Sequence, residues 1–235
     1  MAFFPNNTLT EYKVKLPFHV DLTGNWEVGL ASITFPHTWY NIRDDDQRFY
    51  LDDGDGSFTV VLLPEGYYTS ISEIVDTLNK TITDEGVKGI SLKLNKRSQK
   101  VTVVLGSGKK LSFENRLGVI LGFGSDIILT KTTTAPQVCD LNNSLQSLYV
   151  YLNIVEARIV GEIQANLLQI VPAQGKDGDI ITVNYDNPQY TPLATRDFEV
   201  VEVLITDDTG KKVPFERGRV VITLNFRLRR PPYLL

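Results

Sequence analysis

A single cysteine, Cys139, leaves no intrachain disulfide available, and two histidines, His19 and His37, are too few to complete the ligand set of a structural zinc with it. No stretch approaches the roughly 18 apolar residues that a membrane span requires. The opening Met1-Ala2-Phe3-Phe4-Pro5-Asn6-Asn7 lacks both the basic segment and the long apolar segment of a secretory signal, so synthesis inside the cell without a signal peptide is expected. On that footing the acceptor-like triplets beginning at Asn6, Asn79 and Asn142 are chance matches. Positive charge is also scarce: 24 Lys and Arg stand against 28 Asp and Glu, a net charge of −4, which excludes a globally basic coat for nucleic acid but not a local basic patch. The G-x-S-x-G elbow, the phosphate-binding G-x-x-x-x-G-K-[ST] loop and H-E-x-x-H are all absent, so neither an enzyme nor a cofactor or metal site is expected.

What the chain has in abundance is alternation of apolar and polar residues, the period of a strand with one buried face. Tyr12, Val14 and Leu16 alternate with Glu11, Lys13 and Lys15. Trp26, Val28 and Leu30 hold one phase and Ile33 and Phe35 the other, which predicts a bulge near Ala31-Ser32. The clearest strand runs through Val220, Ile222, Leu224, Phe226 and Leu228, with Thr223, Asn225, Arg227 and Arg229 facing the other way. Ser70-Ile71-Ser72-Glu73 forms a capping box, and Ile71, Ile74, Val75, Leu78 and Ile82 follow at helical spacing, which predicts a helix over about 70–83. A second, short helix is expected with Asn115 as its N-cap and Gly122 as its C-cap. The fold class is therefore mainly β: one β-sandwich from residues 1–63 and 125–235, discontinuous around an inserted small α+β unit at 64–124. Tyr12, Val14, Trp26, Val28, Leu224 and Phe226 are the expected core of that sandwich.

Several groups could carry chemistry, and each has a plainer use. His37 beside Trp39 is a lone histidine at a strand end, a structural position. Gly122-Phe123-Gly124 lacks the third glycine and the preceding strand of a dinucleotide loop. Asp44-Asp45-Asp46 and Asp52 to Asp55 gather carboxylates as Ca²⁺ would need. A loop starting at Asp53 nevertheless puts Phe58 where an EF-hand needs glycine and Pro64 where it needs glutamate, so a solvated acidic loop is expected. Glu65, Glu73 and Asp76 are explained by capping and solvation rather than as a glycosidase pair. Arg217, Arg219, Arg227, Arg229 and Arg230 concentrate positive charge near the C-terminus, either guarding an edge strand or meeting an acidic partner or nucleic acid. Trp39, Tyr40, Tyr67 and Tyr68, if exposed, would form the carbohydrate platform of a lectin-like ligand-binding β-sandwich. The apolar ends, Phe3 and Phe4 at one terminus and Tyr233, Leu234 and Leu235 at the other, lie outside the strand pattern as candidate contacts with neighbouring subunits.

Three sets of residues together carry a family resemblance: Asn7 to Pro17 with Asp21-Leu22-x-Gly24-x-Trp26-Glu27-Val28-Gly29-Leu30 and Phe35-Pro36-His37-Thr38-Trp39-x-Asn41; Pro64-x-Gly66-Tyr67-Tyr68 with Leu111-x-Phe113-x-Asn115-Arg116-Leu117 and Leu121-Gly122-Phe123; and Asp186 to Pro192 with Asp207-Asp208-Thr209-Gly210-x-x-Val213-Pro214-Phe215. The chain resembles the minor capsid (penton) proteins of Polinton/Maverick elements and adintoviruses over nearly its whole length. The resemblance implies a single jelly-roll subunit of a homopentamer at the fivefold vertices of an icosahedral virion capsid, docked to a double jelly-roll major capsid protein. Phe3, Phe4, Arg227, Arg229, Arg230, Tyr233, Leu234 and Leu235 are then the expected subunit or capsid interface, with packaged DNA as a further partner of the C-terminal arginines.

Overall fold

Two long strands, β1 (Glu11–Asp21) and β2 (Trp26–Pro36), begin the regular structure of the computed structural model, which describes residues 4–43, 47–54, 56, 58–141 and 145–229. There follow β3 (Arg48–Asp52), β4 (Phe58–Leu62), helix α1 (Ile71–Asp84), β5 (Ile90–Asn95), β6 (Lys100–Leu105), β7 (Lys110–Phe113), helix α2 (Asn115–Ile120), β8 (Ile127–Leu129) and β9 (Thr133–Thr134). The chain continues with β10 (Ser147–Leu152), β11 (Arg158–Val160), β12 (Ile163–Ala165), β13 (Leu167–Pro172), β14 (Ile180–Asn184), β15 (Tyr190–Pro192), β16 (Asp197–Thr206) and β17 (Val221–Leu228). These elements divide into two compact units, Met1–Trp39 with Leu145–Leu235, and Tyr40–Ser144.

The first unit is an antiparallel sandwich. One sheet has the order β1-β16-β10-β13; in the other, β2 carries β17 on one side and β14 and β15 on the other. Within the unit the path changes sheet at β1–β2, β2–β10, β13–β14, β15–β16 and β16–β17, the alternation of a jelly-roll type of sandwich. The bulge predicted near Ala31-Ser32 lies at Ala31, where Thr223 pairs with Ser32 but Leu224 pairs with Leu30. That one extra residue flips the phase of β2, so that Val28 and Leu30 before it and Ile33 and Phe35 after it all reach one core with Leu148, Val150 and Ile205. Of the expected core residues only Val28 is fully buried. Tyr12, Trp26, Leu224 and Phe226 are half-buried, and Val14 is exposed. The reason is topological: β1 and β17 are both edge strands, and nothing of the described chain closes over them.

The second unit has its own core. Its sheets are β4-β3-β7-β8 and β5-β6-β9. Helix α1 starts at the predicted cap, with the Glu73 N–H donating to Ser70 Oγ at 3.2 Å, and buries the five predicted residues. The Glu73 carboxylate reaches one residue further back than a capping box requires, to the N–H and hydroxyl of Thr69. Helix α2 departs from expectation: Glu114 occupies the N-cap without a side-chain bond, and Asn115 is the first helical residue. At its end Gly122 takes φ +84°, and a Cβ there would lie 2.5 Å from the Gln137 carbonyl. The expected boundaries at 63/64 and 124/125 are corrected by strand pairing. Phe49 and Leu51 of β3 sit opposite Phe113 and Leu111 of β7, and Leu129 of β8 pairs with Leu111, so residues 40–63 and 125–144 belong to the second unit.

Candidate functional site

The parting of the two sheets at β1 and β17 leaves an open, apolar cleft of about 610 Å³ inside the sandwich unit. One wall is Tyr12, Leu16 and Phe18 of β1 with Phe198 of β16; the other is Leu224 and Phe226 of β17. Phe198 and Phe226 stack across it with ring centroids 6.2 Å apart. At the mouth Phe18 is 67% exposed and Val221 56%. Phe18 reaches the mouth because the register of β1 against β16 slips between Lys15 and Val20, a stretch that includes Pro17, which has no N–H to give to a ladder. Desolvation in this apolar setting pushes the Tyr12 phenol up to about 12. Charge is kept to the outer face of the same sheet, where Lys13 pairs with Glu202 at 2.6 Å, Lys15 with Glu199 at 3.1 Å, and His19 with Asp197. The cleft therefore presents shape and apolar area, with no catalytic constellation among the residues that line it.

Of the arginines expected at an interface, Arg227 and Arg229 are described, on the outer face of the other sheet. The Arg227 Nε donates to Glu27 Oε1 at 2.6 Å, and its guanidinium lies 3.5 Å from the centre of the Tyr190 ring. Arg229 is exposed, its backbone N–H held by the Asn25 carbonyl at 2.7 Å. Phe4 is half-buried. Phe3, Arg230, Tyr233, Leu234 and Leu235, and the Asp44–Asp46 run, lie outside the described residues.

The other candidates are absorbed into the fold. His37 is buried, its ring 3.9 Å from that of Trp39, and desolvation lowers its pKa against the opposing pull of Asp177 and Asp179. Asp52 is buried too: its carboxylate accepts the Gly54 and Gly56 amides at 2.8 and 3.2 Å and the Lys110 ammonium at 2.9 Å. The Lys110 bond, then the Gly54 amide, hold its pKa below the ordinary 3.8. Asp53 pairs with Lys109. Among the described residues no cluster of three or more His, Cys, Asp or Glu could hold a metal. Asn79 is committed to Leu92, donating to its carbonyl at 2.9 Å and accepting its N–H at 2.8 Å. The carbohydrate platform is corrected: Trp39 and Tyr68 are buried, Trp39 against His37 and Phe215, and Tyr68 with its hydroxyl donating to the Pro64 carbonyl at 2.7 Å.

The stretches that carry the resemblance meet in pairs. Gly29 is buried under the Asp186–Pro192 segment, where a Cβ would lie 2.8 Å from Pro188 and 3.0 Å from the Gln189 carbonyl. Phe35 and Trp39 pack on Phe215, at 6.4 and 5.9 Å between ring centroids. Asn41 grips Tyr68 twice, donating to its carbonyl and accepting its N–H, both at 2.9 Å.

No protein-family model matches the chain, and no curated protein does. Among solved structures, the crystal structure of the mavirus penton protein matches with a TM-score of 0.53, covering 92% of this chain and 90% of that one at 14% identity. The chain therefore shares the fold of that protein across both units: mainly β, with a jelly-roll β-sandwich.

Proposed function

We propose that the chain is a structural, non-enzymatic capsid protein of the virion: a penton subunit that forms a homopentamer at the icosahedral fivefold vertices and docks to a double jelly-roll major capsid protein. The observation that carries this reading is the fold shared with the mavirus penton protein over nearly the full length of both chains. The quoted motifs, from Asn7 to Phe215, support placing it with the Polinton/Maverick and adintovirus pentons. The cleft adds a physical argument, since an apolar recess of this kind on a water-exposed edge favours burial against another protein surface. The exposed Arg229 belongs to the same reading as a contact for acidic capsid loops or packaged DNA.

Size-exclusion chromatography with light scattering, run on the full chain alone and with the major capsid protein, tests it. A species of five subunits, and its incorporation into particles, is the expected result. A chain that stays monomeric and does not enter particles would sink the reading, and saturable glycan binding by that monomer would revive the lectin alternative.

A further inference from the structure

On the side of the sandwich away from the cleft, the chain makes the opposite shape. There the edges are β13 in one sheet and β14 with β15 in the other. The connection from β10 to β13 rises into the β11–β12 hairpin, tied to β13 by the Arg158 Nη2, which donates to the Leu168 carbonyl at 2.8 Å. A groove of about 480 Å³ runs between this hairpin and Gln169 and Ile170, so the hairpin stands clear of the sheet rather than packing into it. Each of its faces carries an exposed isoleucine. Ile159 pairs across the hairpin with Gln164 and Ile163 with Val160, which puts the two isoleucines on opposite faces, and they are 83% and 62% exposed.

A thin element with an exposed isoleucine on each face fits a slot with two apolar walls. The geometry points to the β11–β12 hairpin of one copy of this chain as the occupant of the β1/β17 cleft of the next. The inference rests on the ring proposed above and supplies its contact. Wedge and slot lie on opposite sides of one unit, so each copy can give one contact and receive one; such head-to-tail pairing makes a ring when the rotation between copies closes, whereas a surface that matches itself stops at a dimer. A two-stranded hairpin is marginal in water by itself, and seating it in the neighbour's cleft removes its two isoleucines and the exposed Phe18 and Val221 from solvent together.

The test uses the full chain in two complementary variants. Ile159→Asp with Ile163→Asp spoils the wedge and leaves the slot; Phe18→Asp spoils the slot and leaves the wedge. All three side chains are exposed, so both variants should keep the wild-type unfolding midpoint. Val221→Asp, from the other wall, replaces Phe18→Asp if that variant does not fold. Each variant alone should weaken self-association by roughly thirtyfold or more, read by size-exclusion with light scattering. An equimolar mixture should form a heterodimer and stop there, because only one good contact remains. Wild-type-like rings from both variants, or no heterodimer in the mixture, would overturn the inference while the ring itself stands. Rings lost on deleting residues 231–235 but kept in the wedge variant would overturn it in favour of the C-terminal segment as occupant. A wild-type chain that is monomeric at every concentration also overturns it, and particle incorporation, measured separately, then decides the penton reading.

Discussion

In the second unit helix α1 lays Ile71, Ile74, Val75, Leu78 and Ile82 into the core, whereas in the sandwich Tyr12, Leu16, Leu224 and Phe226 have the same apolar character and are left half-buried along an open cleft. The apolar periodicity is clear in both sets, at helical spacing in α1 and at strand spacing in β1 and β17. What differs is whether the chain itself supplies the covering element. The second unit also exposes apolar residues, Phe58, Val60 and Leu62, but these form a row on the outer face of β4, not a recess between two layers. Apolar periodicity thus states that a face will be buried and is silent about which molecule buries it.

The comparison can be broken in several ways, beginning where the effect should be largest. Phe35 is fully buried in the sandwich core, and Phe35→Ala should cost about 3–5 kcal/mol by leaving a cavity, measured by urea unfolding. Leu78→Ala, fully buried under α1, should cost about 2–5 kcal/mol. Both tryptophans, Trp26 and Trp39, belong to the sandwich unit, so Phe35→Ala should move the fluorescence transition while Leu78→Ala moves the far-ultraviolet helix signal. Coincident shifts of both signals in both variants would show one cooperative body instead of two. Phe226, expected from sequence to behave as full core, borders the cleft instead, and Phe226→Ala in the monomer should cost only about 1–2 kcal/mol. A loss as large as that of Phe35 would mean the cleft is closed in solution.

A smaller effect separates the units by pH. The Asp52 carboxyl is held below its ordinary value by Lys110 and two loop amides, so its contribution is complete above about pH 4 and is lost as pH falls through the lowered folded value. Asp52→Asn should flatten the acid side of the thermal-stability profile of the helix signal and leave the tryptophan signal unchanged. The smallest effect belongs to residues 231–235: deleting them should leave the unfolding midpoint nearly unmoved, because β17 ends at Leu228, and, on the penton reading, should lower penton occupancy in assembled particles. Normal occupancy would remove the tail from the interface.

How much could be seen in the sequence follows from how local each signal is. The α1 cap and apolar stripe are written within fourteen residues, and the β2 bulge within the ten from Trp26 to Phe35, so both were legible. The boundary of the second unit was not, because Phe49 and Leu51 alternate like any sandwich strand and only their pairing with β7 assigns them. The cleft was hidden for the same reason: Tyr12, Leu224 and Phe226 read as core residues, and their partial exposure follows from β1 and β17 both being edges. Arg227 looked available for a partner, but the Glu27 and Tyr190 that occupy it come from distant strands. The signal that could have exposed the hairpin is Arg158-Ile159-Val160-Gly161-Glu162-Ile163, where apolar residues flank a turn glycine with φ +60°.

The insertion of residues 40–144 between the strands of the sandwich also sets an order in time. Every described strand pair of the second unit lies between Arg48 and Thr134, while Val14 must find Val201 and Val28 must find Phe226. During synthesis the second unit can close while β1 and β2 still wait for β16 and β17, which are made after it. The cleft needs β1, β16 and β17 together, so it is among the last surfaces to exist. On the proposed ring contact, a chain that stops before β17 has no slot to offer a neighbour.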